Sequence, residues 1–413
     1  MALYLLKYGE LFLKSERSRP RFIKHLQSHI QSACGGTLSV KRDHMVLANP
    51  SKPENIPKIP GIKKYAEVSK VEKSEKALLS YFSALHLKGK AFGIKASRSS
   101  KDFPLNSEEI QVKVGQIVKD KGNTVNLSNP EITFYVEVCD EAIFIHKGYE
   151  EGLGGLPYGS AGKILLLFSG GIDSTVSAHL LAKKGVEPVL AFFNPGGEPL
   201  LYYVEKAKKA AEASVAHPME FLCADSSQLM VEIQKVPEKY RQIALKLVFY
   251  REARELMELL GIKAMATGES LSQVSTQTLS NLIMLTTFPV FRPVLAYDKE
   301  EIIAIARRAG LYDACSRVPE HCIVSSGRVA VRAEQEALYF ADKVRYSARW
   351  APCKLRSKEK RAGEVINLDS ADLSRLKLKK GRRYIITCKS GVQSRLLAEE
   401  LVKKGYDATW EVG

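Results

Sequence analysis

Short apolar runs alternate with helical patterns from residue 163 to residue 309, and this alternation limits the possible folds more than any other feature of the chain. The first run, KILLLF at 163–168, is typical of a strand buried on both faces of a parallel sheet. Such alternation predicts a doubly wound sheet that binds its ligand at the carboxyl ends of the strands. The later predicted strands are 188–193, 219–223 and 264–267, and the predicted helices are 176–184, 201–213, 240–260 and 299–309.

The regions on either side of this sheet have different patterns. Residues 1–60 predict a strand, an amphipathic helix and a second strand, and they end in the proline-rich linker SKPENIPKIP at 51–60. Residues 64–148 mix helices and strands and predict a small α/β or α+β module. The glycine-rich stretch 151–162 is unsuited to a regular element. After residue 334 the chain is highly charged, with a predicted strand at 384–387 and a predicted helix at 393–404.

Length and charge narrow the class of protein. The chain has 413 residues and a formal net charge of +16, and domains of roughly 100–200 residues predict two to four of them. Its apolar runs are shorter than the ~20 residues that span a bilayer, and Lys7 and Glu10 interrupt the apolar start, which is too short for an export signal. The positive excess favours an anionic partner, with nucleic acid first and a membrane surface second. A soluble basic protein without such a partner is the alternative.

The seven cysteines are far apart, and no C-x-x-C pair is among them. A zinc ribbon or a thioredoxin-type motif therefore has no support. An odd number of cysteines without an export signal fits a reducing, cytoplasmic compartment, in which we expect most cysteines to be free and any disulfide to be catalytic.

The sequence SGGIDS, residues 169–174, lies between the predicted strand 163–168 and the helix that follows. Gly170 and Gly171 allow the backbone to turn tightly beside an anion, while Ser169 and Ser174 supply hydroxyl donors. The following helix directs its N-terminal N–H groups at the same point, so the sequence predicts a phosphate cradle. Because no lysine follows the second glycine, this is not the Gly-Lys-Ser/Thr nucleotide loop. Asp173 is suited to hold a Mg²⁺ ion that bridges to pyrophosphate. A purely structural Gly-Gly turn is the alternative.

At these residues the chain resembles the PP-loop ATP pyrophosphatases, and more closely the ThiI family of tRNA 4-thiouridine synthases. The resemblance covers nearly the whole chain and rests on several motifs in the family's order. It implies a multidomain α/β protein with a ferredoxin-like domain at 1–59, a THUMP domain at 60–155, a PP-loop domain at 156–335 and a shortened rhodanese-like domain at 336–413. The motifs are KYGELFLK (7–14), FGIKASRSSKDFPLNSEEI (92–110), residues 154–174, TGESLSQVSTQ (267–277), FRPVLAYDKEEII (291–303) and VPEHC (318–322).

The resemblance also implies a set of residues that bind ATP. For Phe192 and Phe193 the alternative is that one of them is simply a core residue, and for Lys246 it is a solvated surface lysine. We expect Gly268 to be glycine because a larger side chain would collide with the nucleotide. The implied ATP-binding residues are Leu167, Phe168, Ser169, Gly170, Gly171, Ser174, Phe192, Phe193, Lys246, Gly268 and Gln277, and Asp173 is implied both for catalysis and for Mg²⁺.

Two cysteines match the family's redox pair. Cys388 stands between a predicted strand and a predicted helix, where backbone N–H groups, the helix dipole and nearby Arg395 would lower the thiol pKa. By the resemblance, Cys388 receives a persulfide from a cysteine desulfurase and either attacks the adenylated base or releases sulfide to it. Cys322 then forms a disulfide with Cys388, and a thiol reductant resets the pair. Cys315 is a conceivable substitute for Cys322.

The basic residues are concentrated at the two ends of the chain. Residues 1–100 carry about +12, residues 340–413 about +9 and the remainder about −5. In the first hundred residues, basic and aromatic side chains are mixed in a way that suits a tRNA-binding surface, although a solvated face is the alternative for each. The charge of the tail has three possible roles: contact with RNA, attraction of an acidic sulfur donor, or an electropositive Cys388 loop. The N-terminal residues are Arg17, Arg19, Arg21, Lys24, Lys95, Arg98 and Lys101 with Phe12, Phe22, Phe92 and Phe103.

Three hypotheses of function follow. The first is an ATP-dependent sulfurtransferase that adenylates a tRNA uridine, at position 8, and converts it to 4-thiouridine. The second is sulfur supply to the thiazole of thiamine, which would need the Cys388 loop but not ATP. The third is an RNA-binding module with a vestigial ATP loop, against which the intact SGGIDS argues. A homodimer is one possible assembly, and no membrane partner is expected.

Overall fold

The structure is a computed structural model that describes residues 2–271, 277–284, 288–321, 324, 335–355, 363–370 and 378–413. The chain folds into two compact units, Met1–Ser160 and Ala161–Gly413. Within the described residues, every helix is too short or too polar to cross a membrane.

The first unit contains two sheets with helices packed on them. Its elements, in chain order, are β1 (Leu3–Tyr8), α1 (Arg19–Cys34), β2 (Thr37–Val40), β3 (His44–Ala48), β4 (Ile62–Glu67), β5 (Ser69–Val71), α2 (Glu75–Ala84), β6 (Ala91–Arg98), α3 (Ser107–Lys119), β7 (Thr124–Val125), β8 (Ile132–Val138), β9 (Ile143–His146) and β10 (Glu150–Glu151), with short 3₁₀ helices at Glu10–Leu13 and Pro53–Lys58.

The first sheet has the strand order β10-β4-β1-β3-β2, and the second has the order β5-β9-β8-β6-β7. Residues 62–71 form two strands that belong to different sheets, because β4 pairs with β1 whereas β5 pairs with β9. The first sheet takes strands from both sides of residue 59, where the sequence predicted a domain boundary. The predicted divisions at 59/60, 155/156 and 335/336 stay predictions.

A buried network of charged and polar groups joins the two sheets of the first unit. Lys7 on β1 lies 2.9 Å from Glu137 on β8, and Glu137 also accepts hydrogen bonds from His146 and Tyr149. Burial by itself would raise the pKa of Glu137, but the hydrogen bond with His146 and the charge of Lys7 outweigh it and hold that pKa at about 2. A buried carboxylate with this many partners locks the relative position of the sheets.

His44 on β3 extends this network. Its ring nitrogens lie 2.7 Å from Asp43 and 2.9 Å from Glu141. Burial would lower the pKa of His44, but the hydrogen bonds with these two carboxylates raise it above the ordinary 6.5. The protonated imidazole is therefore the form that the folded unit favours.

The second unit contains a larger and a smaller parallel sheet. Its elements are β11 (Lys163–Leu167), α4 (Ile172–Lys183), β12 (Glu187–Asn194), α5 (Gly197–Ser214), β13 (Phe221–Asp225), α6 (Ser227–Glu232), α7 (Glu238–Leu260), β14 (Met265–Ala266), α8 (Leu279–Met284), β15 (Val290–Phe291), α9 (Lys299–Arg308), α10 (Tyr312–Cys315), α11 (Gln335–Lys343), β16 (Ala351–Pro352), β17 (Glu364–Asn367), β18 (Arg383–Cys388), α12 (Val392–Lys403) and β19 (Asp407–Val412), with a 3₁₀ turn at Ile233–Lys235.

The larger sheet has the order β15-β14-β11-β12-β13-β16 and is parallel except for β16 at its edge. Leu165 on β11 is fully buried in a core shared with the long helix α7. The predicted doubly wound sheet is confirmed, and the predicted strands and helices match those observed to within a few residues. The largest shift among the strands is 219–223, which is observed two residues later because Met219 and Glu220 precede the pairing with β12.

A three-stranded parallel sheet, β17-β18-β19, forms the C-terminal part with α12 packed against it. Its core is small, with Tyr384, Ile386 and Ala398 buried. The fold of the chain is thus multidomain α/β, as predicted, and the identification of this part as a shortened rhodanese-like domain stays a prediction.

One disulfide is present in the described part of the chain, between Cys223 on β13 and Cys353 just after β16. The sequence led us to expect that any disulfide would be catalytic, and for this pair that expectation stays a prediction. The bond joins Cys223 to the residue that follows the edge strand β16, which itself pairs with β13.

The buried network predicts that the first unit loses stability at low pH and again as the pH rises. Glu137 contributes stability above the ordinary carboxyl pKa of 4.5, on the order of 3 kcal/mol, and this is lost as the pH falls toward 2. The contribution of His44 is present below 6.5 and is lost as the pH rises through its elevated pKa. Hydrogen exchange measured by mass spectrometry on peptides from β1 and β8 should show both losses of protection. Glu137→Gln should abolish the loss of protection at low pH and leave the loss at higher pH unchanged. If the variant loses protection at low pH as the wild type does, Glu137 is not the group responsible.

Candidate active site

The SGGIDS segment joins β11 to α4 at the carboxyl edge of the larger sheet, and its last three residues are the first turn of α4. Gly170 has φ +77°, in the left-handed region, and a Cβ atom there would lie 3.1 Å from the Cα of Val204. Both the backbone conformation and this close approach require glycine. Gly171 is the N-cap residue of α4, so the helix begins at Ile172 and its first N–H groups have no intrahelical acceptor.

Hydroxyl groups hold the loop in this shape. Ser169 Oγ accepts a hydrogen bond from Gly171 N at 3.3 Å and lies 3.1 Å from Ser174 Oγ. Ser174 and Thr175 donate to the carbonyl oxygen of Gly171 at 3.1 and 2.8 Å. These bonds occupy the carbonyl groups and leave the positive end of the helix for an anion, which is the arrangement of a phosphate cradle.

Gly268 packs directly against this loop. A Cβ atom on Gly268 would lie 2.6 Å from Ser174 N and 2.8 Å from the carbonyl carbon of Asp173. The sequence predicted that bulk here would collide with the nucleotide, whereas the first collision is with the backbone of the cradle itself. The side-chain oxygen of Gln277, at the other end of the TGES…STQ motif, is buried without a hydrogen-bond partner among the described residues. An unpaired buried acceptor of this kind suits a ligand that carries N–H donors.

The buried carboxylate of Glu269, next to Gly268, forms ion pairs with two basic side chains. Glu269 accepts hydrogen bonds from Lys246 Nζ at 2.9 Å, Arg292 Nε at 3.0 Å and Tyr250 at 2.5 Å. Burial would raise the pKa of Glu269, but the charge of Lys246 and the hydrogen bonds hold it below its usual range. One carboxylate beside two cations leaves a positive excess, which favours a phosphate-bearing ligand. Lys246 is thus not a solvated surface lysine.

Asp173 in the loop forms an ion pair with Lys299 at the start of α9, 2.7 Å from carboxylate oxygen to Nζ. The carboxylate is partly exposed beside the helix N-terminus. Proteins often bind Mg²⁺ through one carboxylate together with substrate phosphates, so Asp173 fits such an ion. Among the described residues no group of three or more His, Cys, Asp or Glu side chains is placed to hold a metal by itself.

The four apolar residues predicted to bind ATP lie at the ends of β11 and β12. Phe168, Phe192 and Phe193 are buried, and Phe193 stacks on Phe249 with ring centroids 4.2 Å apart. Both Phe192 and Phe193 are therefore core residues, so only their backbone groups are available at the edge. Leu167 is half-buried at the last position of β11.

Cys388 ends β18, and the loop that follows turns back around its sulfur. Ser394 N donates to Sγ at 3.3 Å, and the thiol itself donates to Ser394 Oγ at 3.3 Å. Gly391, with φ +76°, allows the turn into α12. Burial would raise the thiol pKa, but the hydrogen bonds from Ser394 and Ser390 outweigh it and lower the pKa. This is the predicted environment for a thiolate or persulfide anion.

Arg395 does not stabilise the sulfur as predicted. Its guanidinium turns to the larger sheet, where it lies 2.5 Å from the carboxylate of Asp225, because Ser394 and not Arg395 faces Cys388 on α12. Cys322 lies outside the described residues. Cys315 is buried, which raises its thiol pKa to about 11 and makes it a poor substitute.

The predicted RNA-binding residues of the first unit have mixed environments. Arg98 donates to the carbonyl oxygens of Phe103 and Leu105, and it is structural. Phe92 and Phe103 are buried in the core, which agrees with aromatic residues packing beneath the charges. Lys95 lies over the ring of Tyr135. The side chain of Phe12 is outside the described residues.

Sequence reasoning missed Glu269, Arg292 and Lys299 as site residues. All three lie inside motifs that the sequence pointed to, TGES and FRPVLAYDKEEII. A buried acidic residue with basic residues 23 positions away on either side was the available signal. Arg292 meets Glu269 because β15 pairs with β14, and Lys246 meets it from the helix α7.

The fold and the site define a class: an α/β protein with a glycine turn and a helix N-terminus at the edge of a parallel sheet, and a separate loop that lowers the pKa of a cysteine thiol. Comparison with known proteins is consistent with this class. A family model described as "Thiamine biosynthesis protein (ThiI)" matches residues 159–344, and the THUMP domain model matches residues 69–146.

Relatives cover most of the chain. A probable tRNA sulfurtransferase of Saccharolobus islandicus (strain M.16.27) is 32% identical over 343 residues, 79% of this chain and 91% of the relative. A tRNA sulfurtransferase of Desulfurococcus amylolyticus is 32% identical over 349 residues, 80% of this chain and 72% of the relative. A crystal structure of a 4-thiouridine synthetase–RNA complex with bound ATP superimposes with a TM-score of 0.73 at 25% identity, covering 86% of this chain and all of the other. The chain belongs to the ThiI family of tRNA sulfurtransferases.

We expect Gly268→Ala to distort the cradle, because its Cβ must push against the backbone of Asp173 and Ser174. Affinity for ATP, measured by calorimetry, should fall at least about tenfold, since the loop must move by several tenths of an ångström. Gly115→Ala is the matched control, because its Cβ would have no neighbour within 4 Å. Equal affinities in the two variants would contradict the predicted collision.

The environment of Cys388 predicts a thiol that ionises below the ordinary pKa of 9.0. The pH profile of its alkylation rate, followed peptide by peptide by mass spectrometry, should have its midpoint below that value. Ser394→Ala should shift the midpoint upward, because the thiolate, once formed, has no thiol proton and loses the hydroxyl that can donate to it. Cys315, with a pKa of about 11, provides an internal reference; a Cys388 midpoint as high as that of Cys315 would rule out the assigned environment.

Proposed function

We propose that this chain adenylates a tRNA uridine, at position 8, with ATP and replaces the activated oxygen with persulfide sulfur to give 4-thiouridine. The observation that carries the proposal is the combination, in one compact unit, of the SGGIDS cradle and the low-pKa cysteine Cys388. The first supplies an activated oxygen and the second supplies a sulfur nucleophile. Membership of the tRNA sulfurtransferase family agrees with both.

The first step transfers AMP from ATP to O4 of the uracil and releases pyrophosphate. Oxygen on the ring is a poor leaving group, and AMP on that oxygen is a good one. The N-terminus of α4 and the cations Lys246 and Arg292 favour the phosphate charge that develops in this transfer. Ser169, Gly170, Gly171 and Ser174 form the cradle, while Gln277 offers its unpaired oxygen to the nucleotide.

Asp173 is the residue that would hold Mg²⁺, and a bound ion would neutralise pyrophosphate charge. Lys299 lies 2.7 Å from the same carboxylate, so its ammonium group already balances Asp173 and lies near the charges of the leaving group. Lys299 is held by Asp173 of the cradle, and Lys246 and Arg292 are held by Glu269, the residue after Gly268, which packs on the cradle.

The second step forms a bond from the terminal sulfur of a Cys388 persulfide to C4 of the base and breaks the bond from C4 to the AMP oxygen. A thiolate of Cys322 then attacks Sγ of Cys388, which breaks the sulfur–sulfur bond, leaves one sulfur on the base and forms a Cys322–Cys388 disulfide. A dithiol reductant returns two electrons to reset the pair. Release of free sulfide to the base is the alternative route for the sulfur atom.

His321, the residue before Cys322, supports this pairing of cysteines. Its ring packs edge-on against Phe192 at the end of β12, with centroids 5.5 Å apart. Arg395, on the helix that follows Cys388, contacts the carbonyl oxygens of Asn194 and Pro195 just beyond the same strand. His321 and Arg395 therefore both lie near the carboxyl end of β12.

The remaining partners follow from the chemistry. The basic first unit docks tRNA, a cysteine desulfurase supplies the persulfide to Cys388, and a thiol reductant closes the cycle. Assembly as a homodimer and a cytoplasmic location stay predictions.

Sulfur supply to the thiazole of thiamine is a second candidate, favoured by the description of the matching family model as a thiamine biosynthesis protein. That activity would use Cys388 and the sulfur donor but neither ATP nor tRNA. The two functions are therefore separable at the cradle.

Nucleoside mass spectrometry on cells that lack the protein tests the proposal. Wild type should restore 4-thiouridine, whereas Cys388→Ser, Cys322→Ser and Asp173→Ala should each reduce it by about a hundredfold or more, since each removes a reacting or charge-bearing group. Asp173→Ala should still support growth without thiazole, and Cys388→Ser should not. Persistent thiouridine with Cys388→Ser would refute the persulfide role.

With purified protein, unmodified tRNA and [α-³²P]ATP, an absence of AMP release would instead favour the RNA-binding module with a vestigial loop.

A further inference from the structure

Arg395 connects the cysteine loop to the larger sheet. Its Nη2 lies 2.5 Å from Oδ2 of Asp225, the last residue of β13. Its Nη1 donates to the carbonyl oxygens of Pro195 and Asn194 at 3.3 and 3.5 Å, and Nε donates to Glu399 at 2.8 Å. Arg395 is buried, although Asp225 is more than half exposed. All of the polar contacts toward the larger sheet are made at the carboxyl ends of β12 and β13.

Trp410 on β19 makes a second contact at the same edge. Its indole Nε1 donates to the carbonyl oxygen of Gly196 at 2.8 Å. The ring rests on Gly197, whose Cβ, if present, would lie 3.0 Å from the indole. The guanidinium of Arg395 lies over the same ring, 5.6 Å from its centroid. The Arg395 ion pair and the Trp410 contact together form what we call the docking seam.

An apolar contact adds to the docking seam. Val392, the first residue of α12, belongs to the same buried cluster as Leu165 of β11 and Ala191 of β12. Only three residues separate Val392 from Cys388, so the loop between them is short. The Cys388 loop is therefore attached to the larger sheet by packing as well as by charge.

The position of the docking seam places it on the edge that carries the phosphate cradle. The strand order is β11, β12, β13, and the cradle follows β11 whereas Asp225 ends β13. Neighbouring strands are about 4.8 Å apart, so the carboxyl ends of β11 and β13 are roughly 10 Å apart. Asp225, which binds Arg395, therefore lies about two strand spacings from the cradle along the same edge.

We propose that Arg395 and Asp225 are positioning residues for the sulfur step: their ion pair holds the Cys388 loop at the nucleotide edge, so that sulfur passes to the activated uridine within one chain. This inference rests on the proposed function, because it assumes a Cys388 persulfide and an adenylated base. It assigns no chemical role to either residue. The bond from sulfur to C4 forms and the bond from C4 to AMP breaks as described above, with no additional reactant.

The ion pair is suited to this role because it is directional. Asp225 Oδ1 accepts from Ser227 N at 2.9 Å and from Ser227 Oγ at 2.7 Å, which fixes the carboxylate so that Oδ2 faces Arg395. Burial would raise the pKa of Asp225, but Arg395 and Ser227 outweigh it and keep the carboxylate ionised. A misplacement of about 1 Å at a reacting centre costs up to a hundredfold in rate, so loss of this contact should appear in the sulfur step.

The experiment compares Arg395→Gln and Asp225→Asn with the control Arg383→Gln. Asn keeps the acceptor for Ser227 but loses the charge. Arg383 on β18 pairs with Asp407 of β19 at 2.8 Å, so its variant removes an ion pair of the same small sheet that does not reach the larger one. Each variant is made in a Trp350→Phe background, which leaves Trp410 as the only tryptophan of the two in the chain.

Three measurements on the full-length protein separate positioning from folding. Trp410 fluorescence reports the docking seam, and AMP release from [α-³²P]ATP with unmodified tRNA reports the first step. Persulfide on Cys388, loaded by a cysteine desulfurase and read by mass spectrometry, reports the donor. Single-turnover formation of 4-thiouridine from the loaded protein then reports the transfer itself.

We expect both seam variants to shift Trp410 emission to longer wavelength, to keep AMP release and persulfide loading within about twofold of the background, and to slow single-turnover transfer about tenfold or more. Arg383→Gln should leave all of these quantities unchanged. Normal transfer in the seam variants despite shifted emission would overturn the inference, and so would equal slowing in Arg383→Gln.

Mixing tests transfer within one chain. Asp173→Ala protein and Cys388→Ser protein, combined in equal amounts, should form no more 4-thiouridine than either alone. Recovered activity would mean that sulfur passes between chains, and it would overturn the inference while leaving the proposed function intact. Full activity of Cys388→Ser by itself would refute the proposed function.

Discussion

Parallel pairing of β11 between β12 and β14 is the constraint on which the second unit depends. In a parallel sheet every strand ends at the same edge, so segments that are far apart in the chain are brought together there. SGGIDS follows β11, TGES follows β14, and Asn194 and Asp225 end β12 and β13. The close contact of Gly268 with the backbone of Ser174 results directly from the pairing of β14 with β11. The pairing of the parallel strands is therefore enough to bring residues from four separate segments to one edge of the sheet.

Charge in this protein is organised as small clusters in which a carboxylate orients basic groups. Glu269 holds Lys246 and Arg292, Asp173 holds Lys299, and Asp225 holds Arg395. The buried carboxylate of Glu269 stays ionised because of its strong donors, and a cation that a carboxylate already orients loses little freedom when a ligand binds. In the first unit the carboxylate of Glu137 also orients basic groups, and there the bonds connect the two sheets.

Much of the candidate site could be predicted from local sequence. The cradle depends on six consecutive residues, and the Cys388 loop depends on a strand, a glycine and a helix that are contiguous in the chain, so the backbone alone determines where their N–H groups point. The residues that could not be predicted have partners far away in sequence. Arg395 illustrates this: a basic residue seven positions after a reactive cysteine suggests a role at the sulfur, but the helical periodicity of α12 directs Ser394 to the sulfur and Arg395 to Asp225, 170 residues away.

The sequence by itself determined the alternation of strands and helices, the SGGIDS turn, the loop that follows Cys388 and the family, because each is encoded in contiguous motifs. Only the tertiary structure decided how those motifs meet. It showed that the backbone of the SGGIDS segment leaves no room for a side chain at Gly268, and that Glu269 binds Lys246. It also showed that β4 belongs to the first sheet, and that the helix after Cys388 contacts the carboxyl edge of the larger sheet. Strand order and side-chain packing between distant segments set these contacts, and neither leaves a periodic signal in a single chain.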